Sequence, residues 1–254
     1  MNRELIELQA AKLREGWGFS HTEPINVEQL LLKLNILTLF RPMSESFSGM
    51  CLKRGNFCFI LVNCKHPVGR QNFTIAHELY HLFGEEDLYR HCSTSDSAAQ
   101  SKEEKKANYF ASALLMPKLG LQKMIPEDEL KSKALSIGTL LTLENYFNVS
   151  RSALLVRLDQ LRIISKKKYE KLSLLPVSEL AKEYGFNTTL YKSGNCGKII
   201  GDYGIKARKL FDEELISEGH FIELMYKIGV KPNLNNVTKV SDVWTGEGEN
   251  SIGY

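Results

Sequence analysis

The feature that most constrains this chain is an apolar segment, Phe73–Phe83, that carries two histidines and a glutamate. Its apolar residues recur at helical spacing, which predicts a helix over about residues 70–83 that ends at Gly84. His77 and His81 are four positions apart, so both imidazoles lie on one face of that helix, one turn apart. The glutamate between them is charged, and burying a charge is costly without a purpose. The segment therefore predicts a functional site.

The sequence His77-Glu78-Leu79-Tyr80-His81 is an HExxH motif, a pattern typical of zinc-dependent peptidases. Zinc favours imidazole nitrogen and carboxylate oxygen, and a catalytic zinc site leaves one position for water. Glu78 follows the first histidine and is rotated off the ligand face, where it can act as a general base toward that water. The motif predicts His77 and His81 as zinc ligands and Glu78 as the catalytic residue.

A catalytic zinc site needs a third protein ligand. The candidates are Glu103, Glu104, His91, Cys92 and Asp96. A second helix is predicted over residues 99–116, ending before Pro117, with an apolar stripe of Ala107, Phe110, Ala111 and Leu114. Glu103 and Glu104 both flank this stripe, so periodicity does not choose between them. Asn108 lies one turn after Glu104 and could hydrogen-bond a histidine ligand, which favours Glu104, whereas Ser101-x-x-Glu104 also fits a capping box.

The rest of the chain predicts an α+β fold. Two leading helices are expected over residues 3–16, with Leu5, Leu8, Ala11 and Lys12 near helical spacing, and over residues 24–34, with Asn26 as a cap. Three apolar runs, residues 36–40, 47–52 and 57–62, predict a small antiparallel sheet packed with the HExxH helix and the third-ligand helix.

Beyond about residue 120 the pattern is mostly helical. Leu140–Phe147 and Arg151–Leu161, separated by a short break, resemble a helix-turn-helix pair. The predicted organisation is a zinc metallopeptidase domain over residues 1–120, a helical, helix-turn-helix-like region over residues 121–165, and a mostly helical region of unknown role over residues 166–254.

Composition limits the partners and the compartment. A net charge of +3 is too small to imply a nucleic-acid or membrane partner by itself. The charged, helix-like start and the lack of an apolar run of about 18 residues predict a cytoplasmic protein without a membrane partner. The odd number of cysteines predicts reduced thiols at Cys51, Cys58, Cys64, Cys92 and Cys196. A second metal site at Cys58, Cys64 and His66 is not expected, because the spacing fits no standard zinc pattern.

These motifs resemble those of the ImmA/IrrE family of HExxH metallopeptidases. The similar elements are Phe73-Thr74-x-Ala76-His77-Glu78-x-x-His81, Glu104-x-x-Ala107-Asn108-x-Phe110-Ala111-x-x-Leu114-Leu115-Met116-Pro117, Ser48-Gly49 and Ile60–Asn63. The match covers about residues 5–120, with a weaker likeness to about residue 230. The resemblance implies a gluzincin-like zinc site with ligands His77, His81 and Glu104, and with Glu78 as the base.

The resemblance also implies a substrate class. Members of this family often occur with mobile elements or stress regulons and cleave a helix-turn-helix, Xre-like repressor, which relieves transcriptional repression. One departure is Lys106, where the family often has an acidic residue. A donor to the oxyanion is also needed, and the sequence does not choose among Tyr80, Tyr89, His91 and Tyr109.

Two other functions fit parts of the sequence. Residues 151–171 contain seven Lys/Arg against two acids, so a DNA-binding regulator could place Arg151 near a phosphate or a base edge. The opposing interpretation is that Leu154, Leu155, Leu158 and Leu161 pack this helix onto the peptidase body. A protein-interaction regulator, in a stress response, a prophage or a toxin–antitoxin pair, could also carry the zinc site with little turnover.

Overall fold

The computed structural model describes residues 2–84, 89–93 and 102–231, with the backbone alone at residues 89–93. The chain divides into two compact units, Met1–Ile200 and Gly201–Tyr254. The functional division predicted at residues 120 and 165 is a different one, and it stays a prediction.

One mixed sheet organises the first unit. Its strands are β1 (Ile36–Arg41), β2 (Phe47–Arg54), β3 (Phe57–Asn63), β4 (Tyr89–Ser93) and β5 (Ile199–Ile200). Their spatial order is β4-β2-β3-β1-β5. Strands β2 and β3 form an antiparallel hairpin, and the turn between them contains Gly55 at a φ of 55°, a conformation that glycine adopts readily. The three predicted strands are therefore present.

The sequence led us to expect a purely antiparallel sheet. This prediction is wrong, because β1 pairs with β3 in parallel. The buried side chain of Asn63, at the end of β3, explains the arrangement. Its amide donates to the carbonyls of Ser44 and Phe47, both at 2.8 Å, and its Oδ1 accepts from the Met43 amide at 3.1 Å. These bonds hold the connection from β1 to β2 across the end of β3, so the two strands lie on opposite sides of it.

Helices surround this sheet, which confirms the α+β class. In the first unit they are α1 (Arg3–Gly16), α2 (Val27–Lys33), α3 (Val68–Gly84), α4 (Lys102–Leu115), α5 (Lys118–Met124), α6 (Glu127–Ser132), α7 (Ile137–Phe147), α8 (Arg151–Gln160), α9 (Lys166–Ser173) and α10 (Val177–Glu183). A 3-10 turn follows at Thr189–Tyr191. The Asn26 side chain caps α2 by accepting from the Gln29 amide at 3.1 Å, as predicted.

Helix α1 buries a different face from the predicted one. Leu5 and Leu8 are 61% and 51% exposed, whereas Ile6, Ala10 and Arg14 are buried. The guanidinium of Arg14 donates to the backbone carbonyls of Ser20, Glu23 and Leu114. In a hydrophobicity pattern, arginine is treated as a surface residue. The sequence pattern therefore did not predict that Arg14 is buried and anchors α1 in the interior.

Helices α3 and α4 pack against each other, and α3 also packs on β2 and β3. The predicted apolar stripe of α4 is fully buried: Ala107, Phe110, Ala111 and Leu114 are each 0% exposed. Because this stripe fixes the rotation of α4, it also fixes which side chains α4 presents to α3.

The helix-turn-helix-like pair, α7 and α8, packs onto the preceding part of the first unit, at the start of α3. Gly69, near the start of α3, lies against its turn so closely that a Cβ there would be 2.7 Å from the Ser150 nitrogen. The Asn72 amide also donates to the Asn148 carbonyl at 2.9 Å. Leu154, Leu155 and Leu158 are fully buried, in agreement with the packing interpretation of α8.

Two of the seven cations in this region are buried in ion pairs. Arg151 bonds to Glu144, and the Glu144 carboxylate also accepts from the Tyr191 hydroxyl at 2.7 Å. Arg157 donates to the Met116 carbonyl at 3.0 Å and to Glu7 Oε2 at 3.0 Å. Arg151 therefore supports the fold at the position where a DNA contact was considered.

The sequence led us to expect that all five cysteines are reduced. This prediction is wrong for Cys64 and Cys196, which form a disulfide. Their Cα atoms are 5.1 Å apart although 132 positions separate them in the sequence. The segment before β5 returns along the edge of β1 and brings Cys196 to the end of β3. Disulfides are rare in reducing compartments, so the cytoplasmic location stays a prediction.

In the second unit, α11 (Tyr203–Asp212) and α12 (Glu218–Lys227) pack around Ala207, Phe211 and Phe221. The two phenylalanine rings stack with centroids 5.2 Å apart. Among the residues that the structure describes, no helix is both long enough and apolar enough to cross a membrane.

Candidate metal centre

Helix α3 presents two histidines and a glutamate to the interior of the first unit. The residues His77, Glu78 and His81 are 6%, 0% and 1% exposed. The spacing of four places the imidazoles one helical turn apart, and their ring centroids are 5.0 Å apart. Three ionisable side chains buried within two turns require compensating partners or a cation.

Glu104, on α4, completes the group. Its Oε2 lies 3.1 Å from His77 Nε2 and its Oε1 lies 3.5 Å from His81 Nε2, while the two Nε2 atoms are 3.2 Å apart. A tetrahedral zinc site with bonds of about 2.0–2.1 Å requires donor atoms that are roughly 3.3 Å apart. His77, His81 and Glu104 therefore have the chemistry and the spacing to hold one zinc ion.

Asn108 orients the first histidine. The Nδ1–H of His77 donates to Asn108 Oδ1 at 3.0 Å, because an amide oxygen can only accept. This bond places a proton on Nδ1, so Nε2, which faces Glu104, is the ring atom that would bind a metal. A hydrogen bond of this kind fixes the tautomer and the ring orientation of a metal-binding histidine. The contact is the one expected for Asn108, and its role at a metal stays a prediction.

The surroundings of His77 favour positive charge. Burial acts to lower the pKa of His77, but the hydrogen bond to Glu104 and the charges of Glu78 and Glu104 outweigh it, with a smaller contribution from Asn108. The net effect raises the pKa of His77 above its usual value. Two carboxylates around buried imidazoles thus create a site that attracts a cation.

The two adjacent glutamates of α4 point to different partners. Glu103 accepts from the Tyr80 hydroxyl at 3.1 Å and pairs with Lys106 at 2.7 Å. Glu104 faces the two histidines instead. The geometry therefore distinguishes the two carboxylates that periodicity left open. Lys106, which departs from the family pattern, pairs with Glu103 and not with the histidine–glutamate group.

Strand β2 passes close to Glu78 at a glycine. A Cβ on Gly49 would lie 2.5 Å from Thr74 Cγ2, 3.0 Å from the Leu61 carbonyl and 3.4 Å from Glu78 Oε1. In the sequence, Gly49 falls in a predicted strand and in the Ser48-Gly49 element of the resemblance, and it lies within β2. A glycine inside a strand often marks a close approach of the backbone, and that signal could have placed it beside the site.

The candidates for the oxyanion donor are only partly described. The Tyr109 hydroxyl donates to Glu7 at 2.9 Å, and the Tyr80 hydroxyl donates to Glu103. Tyr89, His91 and Cys92 lie in β4, whose side chains are outside the described residues, as is the whole of Asp96. The choice of an oxyanion donor stays a prediction.

Comparison with known protein families matches residues 32–159, half of the chain, to Peptidase M78, described as an IrrE N-terminal-like domain. The matched region spans the sheet strands β1 to β4, α3, α4 and most of α8. No curated protein matches the chain.

Proposed function

This chain belongs to the Peptidase M78 family of IrrE N-terminal-like metallopeptidases, and we propose that within it the chain is a zinc-dependent endopeptidase of narrow specificity. The observation that carries the proposal is the triangle of donor atoms from His77, His81 and Glu104, with separations of 3.1 to 3.5 Å. Glu78, buried on the same helix, supplies the base that such a site needs.

Each residue has a role that follows from its position. Zinc, when bound, would supply the positive charge that acidifies a water molecule and polarises the peptide carbonyl. Glu78 would accept a proton from the attacking water as the water oxygen bonds to the peptide carbon, and would pass that proton to the amine as the C–N bond breaks. Asn108 holds the His77 ring so that Nε2 faces the other ligands. His77, Glu78 and His81 are buried, which strengthens these electrostatic interactions.

The proposed substrate is a helix-turn-helix, Xre-like repressor whose cleavage relieves transcriptional repression. Support for this class comes from the resemblance to the ImmA/IrrE family, in the paired motifs around His77 and Glu104. Because specificity in this class is narrow, a generic substrate such as casein is a poor probe, and the product of a neighbouring repressor gene is the appropriate one.

The experiment compares zinc-loaded wild-type chain with Glu78→Gln on that repressor, with zinc content measured in both. We expect Glu78→Gln to keep its zinc and to lose cleavage by at least about 100-fold, since general base catalysis contributes about 100-fold to 10,000-fold. Full cleavage by Glu78→Gln would refute the mechanism. A wild-type chain that holds zinc but leaves the repressor intact would favour an interaction module with little turnover.

A further inference from the structure

A cleft of about 640 Å³ opens beside the candidate metal centre, bounded by α1, α3, α4 and α8. Its size is in the range of ligand-binding pockets. The roles assigned to His77, Glu78, His81 and Glu104 do not use it, and it lies wholly within the first unit.

The cleft adjoins the candidate metal centre through one shared residue. Asn108, which accepts the hydrogen bond from His77, also lines the cleft. On α3, Arg70 and Phe73 line it and precede His77 by seven and four positions, so all three lie along one face of the helix. At 1.5 Å per residue, Arg70 is displaced by roughly 10 Å from His77 along α3. An extended polypeptide covers this distance in about three residues.

The charges of the cleft all have one sign. Arg3, Arg70 and Lys105 line it, and no acidic residue does. Arg70, which is half-buried, donates to the Ser48 hydroxyl at 3.1 Å, and Arg3 lies over the ring of Tyr109. None of the three cations forms an ion pair with a carboxylate among the residues that the structure describes. The cleft therefore favours an anionic occupant.

The walls of the cleft are largely apolar. Phe73, Tyr109, Ala153 and Val156 present carbon surface to it, and the positive end of the α8 dipole lies at its edge. A recessed arginine within apolar walls suits a carboxylate side chain on a polypeptide, which can bury its apolar neighbours beside the ion pair. The phosphates of duplex DNA need an exposed basic surface along the backbone instead.

We propose that this cleft is a substrate subsite that receives an acidic segment of the polypeptide, which is bound by Arg70, about three residues from the scissile bond, and by Lys105. The inference rests on the proposed peptidase function, since it assigns a recognition site to that same substrate. Arg70 and Lys105 act as specificity-determining residues and are not among the metal-binding side chains.

The test measures peptide binding, so that its outcome does not depend on cleavage. The full chain carrying Glu78→Gln, loaded with zinc, is titrated against fluorescein-labelled peptides of about 12 residues that are rich in Ala and Leu and differ only in a central Glu-Glu, Gln-Gln or Lys-Lys pair. Fluorescence anisotropy gives each Kd. We expect the Glu-Glu peptide to bind about 10-fold more tightly than the Gln-Gln peptide, and this ratio to shrink as salt is raised.

Two matched variants locate the effect. Arg70→Gln/Lys105→Gln removes two charges from the cleft, and we expect it to bring the Glu-Glu and Gln-Gln peptides to equal Kd. Lys166→Gln/Lys167→Gln makes the same change of charge on exposed positions of α9, outside the cleft, and should keep the 10-fold ratio. Circular dichroism and thermal unfolding establish that both variants are folded.

Equal binding of the Glu-Glu and Gln-Gln peptides by the parent chain would overturn the proposal, as would a ratio that survives Arg70→Gln/Lys105→Gln. Binding of a 20-base-pair DNA duplex that is lost in the cleft variant but not in the α9 variant would assign the cleft to nucleic acid and overturn it too. Failure of the peptidase function is a separate result, because it appears as absent cleavage by wild-type chain while the binding preference persists.

Discussion

At the scale of single residues, the candidate site depends on the direction of two neighbouring carboxylates. Glu103 bonds to Tyr80 and Lys106, whereas Glu104 faces the two histidines. We expect Glu104→Ala to lower the zinc content after dialysis to well below one ion per chain, because it removes a ligand. Glu103→Ala is the matched control and should retain one zinc, as measured by inductively coupled plasma mass spectrometry. The opposite result would move the ligand role to Glu103.

Asn108 acts on the metal through His77. Loss of a hydrogen bond to a metal-binding histidine typically weakens metal affinity by about 10-fold to 100-fold. Asn108→Ala should therefore raise the zinc Kd by that factor, measured by competition with a chromophoric chelator at fixed pH. An unchanged Kd would show that the bond to His77 Nδ1 does not orient the ring.

Gly49 allows β2 to pass close to α3. Gly49→Ala should lower the free energy of unfolding by about 1–3 kcal/mol, because the added methyl group must displace Thr74 or the backbone of Leu61. Gly16→Ala is the control, since a Cβ at Gly16, in α1, meets nothing within 4 Å. Urea unfolding gives the free energy of unfolding of both variants. Equal stability of Gly49→Ala and Gly16→Ala would argue against the close approach of β2 to α3.

The site residues were predictable from the sequence to different degrees. His77, Glu78 and His81 are fixed by spacing along one helix, which depends only on helical geometry. Glu103 and Glu104 are adjacent and both border the apolar stripe, so only the packing of α4 on α3 separates them. Gly49 comes near Glu78 through the packing of the sheet, which no local pattern encodes.

At the scale of elements, an ion pair joins α1 to α8. Burial acts to raise the pKa of Glu7, but the hydrogen bond and the charge of Arg157 outweigh it, so the pKa of Glu7 is lowered. A carboxyl group with a lowered pKa in the folded state stabilises the protein above its unfolded pKa, and this contribution is lost as pH falls through the folded pKa.

Wild-type chain should therefore exceed Glu7→Gln in urea stability at pH 7, and the difference should shrink as the pH is lowered toward 3. Urea midpoints at several pH values give the comparison. A difference that stays constant with pH would mean that the Glu7 charge contributes nothing to the fold.

The element patterns explain which parts of the fold were predictable. The amphipathic stripe of α4 and the cap of α2 are local, and both are as predicted. The parallel pairing of β1 with β3 depends on the Asn63 side chain, and the buried face of α1 depends on Arg14. Both are polar groups whose partners lie elsewhere in the chain, so a hydrophobic pattern does not reveal them.

At the scale of the whole molecule, the Cys64–Cys196 bond ties the end of β3 to the segment before β5. Their sequence separation of 132 closes a long loop, and a disulfide of this kind typically stabilises the fold by about 2–4 kcal/mol. Cys196→Ser should lose that amount relative to the oxidised wild-type chain, measured by chemical unfolding. Equal stability of oxidised and reduced wild-type chain would contradict the prediction.

No spacing rule predicted this pairing, because the two cysteines meet only after the chain has returned along β1. The division of the chain into Met1–Ile200 and Gly201–Tyr254 is likewise a property of tertiary contacts. The sequence identified the peptidase family and its motif helices, since these depend on short patterns.

In the proposed function, α3 and α4 together hold one catalytic metal ion. Its most direct test is a crystal structure of the zinc-loaded chain with anomalous diffraction recorded at the zinc edge. We expect one strong peak about 2.0–2.2 Å from His77 Nε2, His81 Nε2 and a carboxylate oxygen of Glu104. A peak bound to Glu103, or a zinc position that does not include both histidines, would contradict the claim.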